Sequence, residues 1–183
     1  MTAVALVENP TNEDVRNAYK LAEKHFGHVP NLVKALGSNP AMCKTLTEFV
    51  VLFLDEGKVS WKFKELVILK TLRSIKSFFS YSAHEALAIE LGNSVSKVGS
   101  VANSLWQLNP EYTDGERAVF ELVDQVALDA NAVGDEIWDK LRAHWSSAQL
   151  VELDALITTF ILIGRLGDTL GIPEPVVFKR SVA

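Results

Sequence analysis

The sequence predicts an all-α protein. Apolar residues recur at intervals of three and four through most of the chain, and no segment shows the strict alternation of a half-buried strand. Capping residues, glycines and prolines separate these segments. With 183 residues, 48% of them hydrophobic, the chain is long enough for one domain with a core, or for two small halves that share one. We expect a single domain over residues 1–183, with halves over about 1–108 and about 113–172.

The first half is predicted to open with three helices. The first begins after Thr11, in a Thr-x-x-Asp pattern similar to a capping box, and ends at Gly27. Asn39 and Pro40 open the second, because proline is preorganised for the first helical position. Ser60 is a favourable N-cap for the third. This order places an apolar central helix directly before the most polar motif of the chain.

The helical pattern continues through the rest of the chain. Residues 93–108 complete the first half as an amphipathic helical segment, and the polar loop QLNPEYTDG marks the boundary to the second half. Thr113 and Glu116 then have the spacing of a capping box. Two more helices are predicted over residues 135–144 and 150–170, the last of which is apolar enough to be buried.

Charge and hydropathy argue against two classes of function. The formal net charge is −5, so there is no basic surface to meet nucleic-acid phosphates. No apolar stretch approaches the length of a membrane span, and the opening MTAVALVENP lacks the charged start and apolar region of a signal peptide. We therefore expect a cytoplasmic protein without a nucleic-acid or membrane partner.

The cysteine and histidine content gives no cofactor or metal site. Cys43 is the single cysteine, so an intrachain disulfide is excluded, and it lies on an apolar helix stripe typical of a small core residue. His25 and His28 have a spacing that could ligate a metal, but no third ligand accompanies them. We expect neither a metal nor a cofactor.

The most informative stretch is residues 61–92, WKFKELVILKTLRSIKSFFSYSAHEALAIELG. Its first helix is apolar on most of its surface, so Glu65 there needs a partner or contact with water. Ser77 and Ser80 are predicted in the first turn of the next helix, where the helix dipole would lower the pKa of a thiol. His84 lies four residues after Ser80, which places the imidazole on the same helix face.

This pattern has a glutamate, then two residues separated by two positions, then a histidine. It resembles the carboxymuconolactone decarboxylase family, in its alkylhydroperoxidase D-like (AhpD-like) branch. The strings ELVIL and YSAHEALAIELG resemble the branch too, as does the second half from TDGERAVFELVDQVAL to LITTFILIGRLGDTLGI. Glu65 and His84 match the family's glutamate and distal histidine. The family's pair is Cys-x-x-Cys, and Ser77 and Ser80 stand at the matching positions.

For members with the cysteines, the resemblance implies an AhpD-like helical fold, assembly as a homotrimer or homohexamer, and peroxidase activity. One thiolate attacks a hydroperoxide and the other closes a disulfide, while the glutamate and histidine relay protons and a thiol reductant, possible as a partner protein, restores the pair. Serine has no comparable oxidation chemistry, so the chain as written is expected to lack this activity. Ser77 and Ser80 are either natural or the result of a Cys→Ser substitution, and the sequence leaves both origins open.

Two other function classes are compatible with the residues. In a thiol-independent lyase or isomerase, His84 would move a proton of a small cyclic carboxylate and Glu65 would tune it. Arg73 and Lys76 are the nearby cations that could hold such a carboxylate. The third class is a non-catalytic oligomeric protein that binds a small molecule.

Each candidate side chain also has a purely structural interpretation. Glu65 would pair with Lys62 or Lys64 on an exposed edge. The two serines would be ordinary helix caps, and the histidine would bond a backbone carbonyl in the core. Phe78 and Tyr81 are expected to wall a pocket or to pack an interface.

Overall fold

The computed structural model describes residues 2–53 and 57–173. Within these ranges the chain forms nine α-helices and two short 3-10 turns and no β-strand, which confirms the all-α class. The helices are α1 (Glu13–Phe26), α2 (Asn31–Leu36), α3 (Pro40–Leu52), α4 (Trp61–Ser74), α5 (Tyr81–Glu90), α6 (Val95–Ala102), α7 (Asp114–Asp129), α8 (Asp135–Arg142) and α9 (Ser147–Leu170).

Contacts divide the described chain into two compact units. The first contains residues 2–53 together with residues 166–173. In it α1 packs against α3 and α2, and Val15, Ala22 and Cys43 are fully or almost fully buried. Burial also raises the pKa of the Cys43 thiol, which fits the core role predicted for it.

The second unit runs from residue 57 to 165 and has α4 at its centre. This helix contacts α5, α6 and α7, and its residues 63–72 are all buried. That environment explains why the apolar pattern of the segment is nearly continuous rather than confined to one stripe. The single-domain organisation expected for residues 1–183 stays a prediction.

A charged pair is buried beside the candidate site. Lys64, 1% exposed, lies 2.5 Å from a carboxylate oxygen of Glu152 on α9. The other oxygen of Glu152 accepts the backbone N–H of Lys58 at 2.6 Å. Burial alone would raise the pKa of Glu152, but the hydrogen bonds and charge of Lys64 and this backbone donor lower it. The pair therefore ties the start of α4 to α9.

The structure differs from the prediction at three places. The N-cap of α1 is Asn12 rather than Thr11, because the Asn12 carboxamide accepts the free backbone N–H of Val15. Helix α2 was not predicted, since six residues are too few for a clear period. The segment predicted as helical to residue 108 ends at Ala102, and Ser104 has φ 58, which cannot continue a right-handed helix.

The other predicted caps are confirmed. Asn39 and Ser60 accept backbone N–H groups at the starts of α3 and α4, and Thr113 and Glu116 form a reciprocal capping box on α7. In the described part of the chain, every helix is too short or too polar to span a bilayer.

Candidate functional site

Glu65 is fully buried on α4 and has two hydrogen-bond partners. Trp61 Nε1 donates to Oε1 at 2.9 Å, and Oε2 lies 2.7 Å from Nδ1 of His84. The structural interpretation with a lysine partner is wrong for Lys64, which pairs with Glu152 instead. Each carboxylate oxygen of Glu65 therefore has its own hydrogen-bond partner, and one of the two partners is the predicted histidine.

His84 lies on α5 with its imidazole buried. An ionised carboxylate can only accept hydrogen bonds, so in a neutral imidazole bonded to it Nδ1 would carry the proton and Nε2 would be the unprotonated nitrogen. Phe160 of α9 packs edge-on against the ring, with 5.1 Å between centroids. A carboxylate and an aromatic ring therefore both contact the imidazole.

Ser77 and Ser80 do not lie in the first turn of α5, which begins at Tyr81. Ser80 has φ 58 and Lys76 has φ 59, and these left-handed residues prevent the helix from extending back through the pair. Ser80 is the N-cap residue, and its carbonyl accepts the backbone N–H of His84 at 3.1 Å. Ser77 precedes it in the irregular joint between α4 and α5.

The hydroxyls of Ser77 and Ser80 are buried without a hydrogen-bond partner. The residues are 3% and 7% exposed, and Ser80 makes no side-chain capping bond. The interpretation as ordinary capping serines is therefore wrong. A buried hydroxyl without a partner destabilises the fold, whereas a thiol, a much weaker hydrogen-bonding group, loses less in the same place.

Gly164 of α9 makes room for Ser77. A Cβ at residue 164 would lie 2.9 Å from the Ser77 Oγ and 3.0 Å from its Cβ. Phe160, which contacts His84, is one helical turn earlier on the same helix. Ser77 and His84 therefore pack against neighbouring turns of α9, and Ser77 occupies the space that a side chain at residue 164 would need.

We expect Ser77→Ala to raise the free energy of unfolding by about 1 kcal/mol, because it removes a buried donor that has no partner. Ser94→Ala is the matched control, since the Ser94 hydroxyl caps α6 by accepting from Lys97 N at 3.0 Å. It should lower the same quantity by about 1 kcal/mol. Urea unfolding of both variants measures the direction of each change in the free energy of unfolding. If Ser77→Ala loses as much stability as Ser94→Ala, the Ser77 hydroxyl has a partner and the assignment is wrong.

A small cavity opens at the start of α5. Its lining consists of Arg73, Lys76, Ser77, Phe78, Tyr81 and Ala102. Phe78 and Tyr81, which were expected to wall a pocket or to pack an interface, line it together with the cations Arg73 and Lys76. The sequence did not predict that the Trp61 indole donates to Glu65 or that Gly164 lets Ser77 approach α9 closely. Neither residue carries a sequence signal for its role. Among the described residues there is no group of three or more His, Cys, Asp or Glu side chains that could hold a metal ion.

No protein-family model matches the chain. It is 25% identical over 154 residues to the uncharacterized protein YnjA of Escherichia coli K12, covering 84% of each chain. This similarity spans both predicted halves.

Three solved structures are similar over most of the chain. The alkylhydroperoxidase AhpD core protein from Ralstonia eutropha JMP134 is 19% identical with a TM-score of 0.80, covering 94% of this chain and 92% of that one. The debrominase Bmp8 with 2,3,4-tribromopyrrole is 16% identical with a TM-score of 0.82, covering 96% and 93%. The putative antioxidant defence protein AhpD from Agrobacterium tumefaciens is 23% identical with a TM-score of 0.69, covering 77% and 95%. The chain therefore has the AhpD-like fold, which confirms the resemblance at that level.

Proposed function

We propose that the chain belongs to the alkylhydroperoxidase lineage of the carboxymuconolactone decarboxylase family, with serines where that lineage carries its redox thiols. The observation that carries the proposal is the pair of buried, unpartnered hydroxyls of Ser77 and Ser80 beside the Glu65–His84 hydrogen bond. As written, the chain does not reduce hydroperoxides, because a hydroxyl forms neither a sulfenic acid nor a disulfide.

The surroundings of the serines support this proposal. A peroxidatic thiol needs a base in reach, and His84 has its Nδ1 engaged by Glu65, which makes Nε2 the proton acceptor. A thiolate at residue 80 would stand at the N-terminus of the ten-residue helix α5, where the helix dipole stabilises negative charge. Glu65 and His84 then pass the proton between thiol and solvent.

Two of the proteins with a similar structure are described as AhpD proteins, which supports the lineage. An AhpD core protein described as peroxidase-related and a putative antioxidant defence protein share the fold. The same fold also occurs in a debrominase that was crystallised in complex with 2,3,4-tribromopyrrole. We propose a small-molecule hydroperoxide as the ancestral substrate, a thiol reductant as the partner, a homotrimer or homohexamer as the assembly, and the cytoplasm as the location.

The proposal is tested by hydroperoxide consumption, with a dithiol in excess, by the chain and by its Ser77→Cys/Ser80→Cys variant. Turnover by the variant but not by the parent supports the lineage. Failure of both to turn over peroxide overturns it.

A second function would need no thiol, because a ring nitrogen of His84 could itself take up and release a proton. In this alternative the chain is a lyase or isomerase, and His84 moves a proton of a small carboxylate while Glu65 fixes its tautomer. His84→Gln should then lower turnover of candidate lactones and keto acids by about 10²-fold or more. Equal turnover by the parent and by His84→Gln would exclude this function, and a bound ligand that is never turned over would point to a binding protein.

A further inference from the structure

Trp61 is the second hydrogen-bond partner of the Glu65 carboxylate, and neither function proposed above gives it a role. Its indole Nε1–H donates to Oε1 at 2.9 Å, whereas Oε2 lies 2.7 Å from Nδ1 of His84. Trp61 is the first residue of α4 and Glu65 follows four positions later, so the two side chains lie on one face of the helix. The indole, the carboxylate and the imidazole therefore form one continuous chain of hydrogen bonds.

Burial makes the indole donor important for the charge of Glu65. The side chain of Glu65 is 0% exposed, so solvent cannot supply a substitute donor to Oε1. A hydrogen bond donated to an ionised carboxylate stabilises the charged form, and a buried carboxylate that lacks such a donor favours the protonated form. The indole of Trp61 therefore favours the ionised state of Glu65.

The protonation state of Glu65 decides which nitrogen of His84 can act as a base. An ionised carboxylate accepts a hydrogen bond from Nδ1–H, which leaves Nε2 unprotonated in the neutral ring. A protonated carboxyl group would donate to Nδ1 instead, and the neutral ring would then carry its proton on Nε2. In that second arrangement, neither ring nitrogen could take a proton from a thiol or a substrate.

We infer that Trp61 is a positioning residue for this site: by donating to Oε1 it keeps Glu65 ionised, and it thereby keeps Nε2 of His84 free to accept a proton. In this role Trp61 acts through Glu65 rather than by touching a substrate. The inference rests on the proposed function, in that the peroxidase and the alternative lyase or isomerase both need His84 as a base. It concerns the resting protein, so neither reaction is needed to measure it.

The test measures the tautomer of His84 in the unmodified chain, by NMR of the ring nitrogens after labelling the histidines with nitrogen-15. The pH is about 8.5, well above the ordinary imidazole pKa of about 6.5, so that neutral rings are observed. His84→Gln identifies the His84 signals among those of the 4 histidines. We expect a proton on Nδ1 and none on Nε2. Glu65→Gln is the reference for the other tautomer, because its amide nitrogen can donate to Nδ1.

Trp61→Phe removes the donor and keeps an aromatic ring. It should shift the ratio of the two neutral tautomers of His84 toward the Nε2-protonated form about tenfold or more. Trp145→Phe is the matched control, since Trp145 is also partly buried and its Nε1 donates to the carbonyl of Gly115 at 2.9 Å. It should leave the ratio unchanged. Backbone amide spectra show whether each variant is folded, and Trp61→Leu is a second variant without the donor.

Three outcomes would overturn the inference. They are a tautomer ratio in the folded Trp61 variant equal to that of the parent, an equal shift in Trp145→Phe, and a His84 ring that carries a proton on Nε2 in the parent. Because the measurement uses no peroxide, no lactone and no added cysteine, its failure is distinguishable from a failure of the proposed function. An unchanged ratio beside an active Ser77→Cys/Ser80→Cys variant would leave the relay in place and remove Trp61 from it.

Discussion

The Ser77→Cys/Ser80→Cys variant is expected to consume hydroperoxide catalytically with excess dithiol, while the parent chain does not. The four elements of a thiol cycle would then be present: a thiol at a helix N-terminus, a second thiol three residues away, a buried glutamate and a histidine bonded to it at 2.7 Å. Gly164 lies close to residue 77, so any side chain at residue 164 would crowd the substituted cysteine. Stopped-flow measurement of hydroperoxide loss gives the rate.

Two controls make this result specific. Adding His84→Gln to the double variant should lower turnover by about 10²- to 10⁴-fold, because the proton acceptor is lost while both thiols remain. The parent still carries Cys43, so its rate measures any contribution of that buried thiol. If the double variant turns over peroxide equally well without His84, the relay assigned to this histidine is wrong.

Lys64→Met is expected to lower the free energy of unfolding by about 3–5 kcal/mol, the largest loss of stability among single changes near the site. The substitution leaves Glu152, whose side chain is 17% exposed, without its cationic partner and with only the backbone donors of Lys58 and Val59 to compensate. Methionine keeps most of the apolar volume of the lysine stem, so the loss reports the charge rather than a cavity.

Two further variants separate the charge from the packing. Lys62→Met changes an exposed lysine of the same helix and should alter stability by less than about 0.5 kcal/mol. Lys64→Met/Glu152→Leu removes both charges and should recover most of the loss, because no unpaired buried ion remains. A double variant as unstable as Lys64→Met alone would show that packing, and not the ion pair, governs this position. Urea unfolding measures all three.

The sequence predicted the helical class and the residues of the candidate site because both depend on local spacing. A carboxylate on an apolar helix requires a partner, and His84 at the family spacing proved to be the residue that contacts Glu65. The cavity residues Arg73, Lys76, Phe78 and Tyr81 lie within nine positions of one another, so their proximity also follows from the chain.

What the sequence did not predict depends on backbone angles and distant contacts. The left-handed conformation of Ser80 has no sequence signal, since glycine and asparagine are the usual residues there. The pairing of Lys64 with Glu152 joins residues 88 positions apart, and the close approach of Gly164 to Ser77 joins residues 87 positions apart. No helical period encodes such contacts.

The central claim is that Ser77 and Ser80 occupy the positions of two cooperating thiols. The most direct measurement is the peptide mass map of the reduced Ser77→Cys/Ser80→Cys variant after one equivalent of hydroperoxide. We expect the peptide that contains both substitutions to lose two hydrogen atoms as a disulfide forms, with Cys43 unchanged. Oxygen addition at a single sulfur, or no reaction at either, would contradict it.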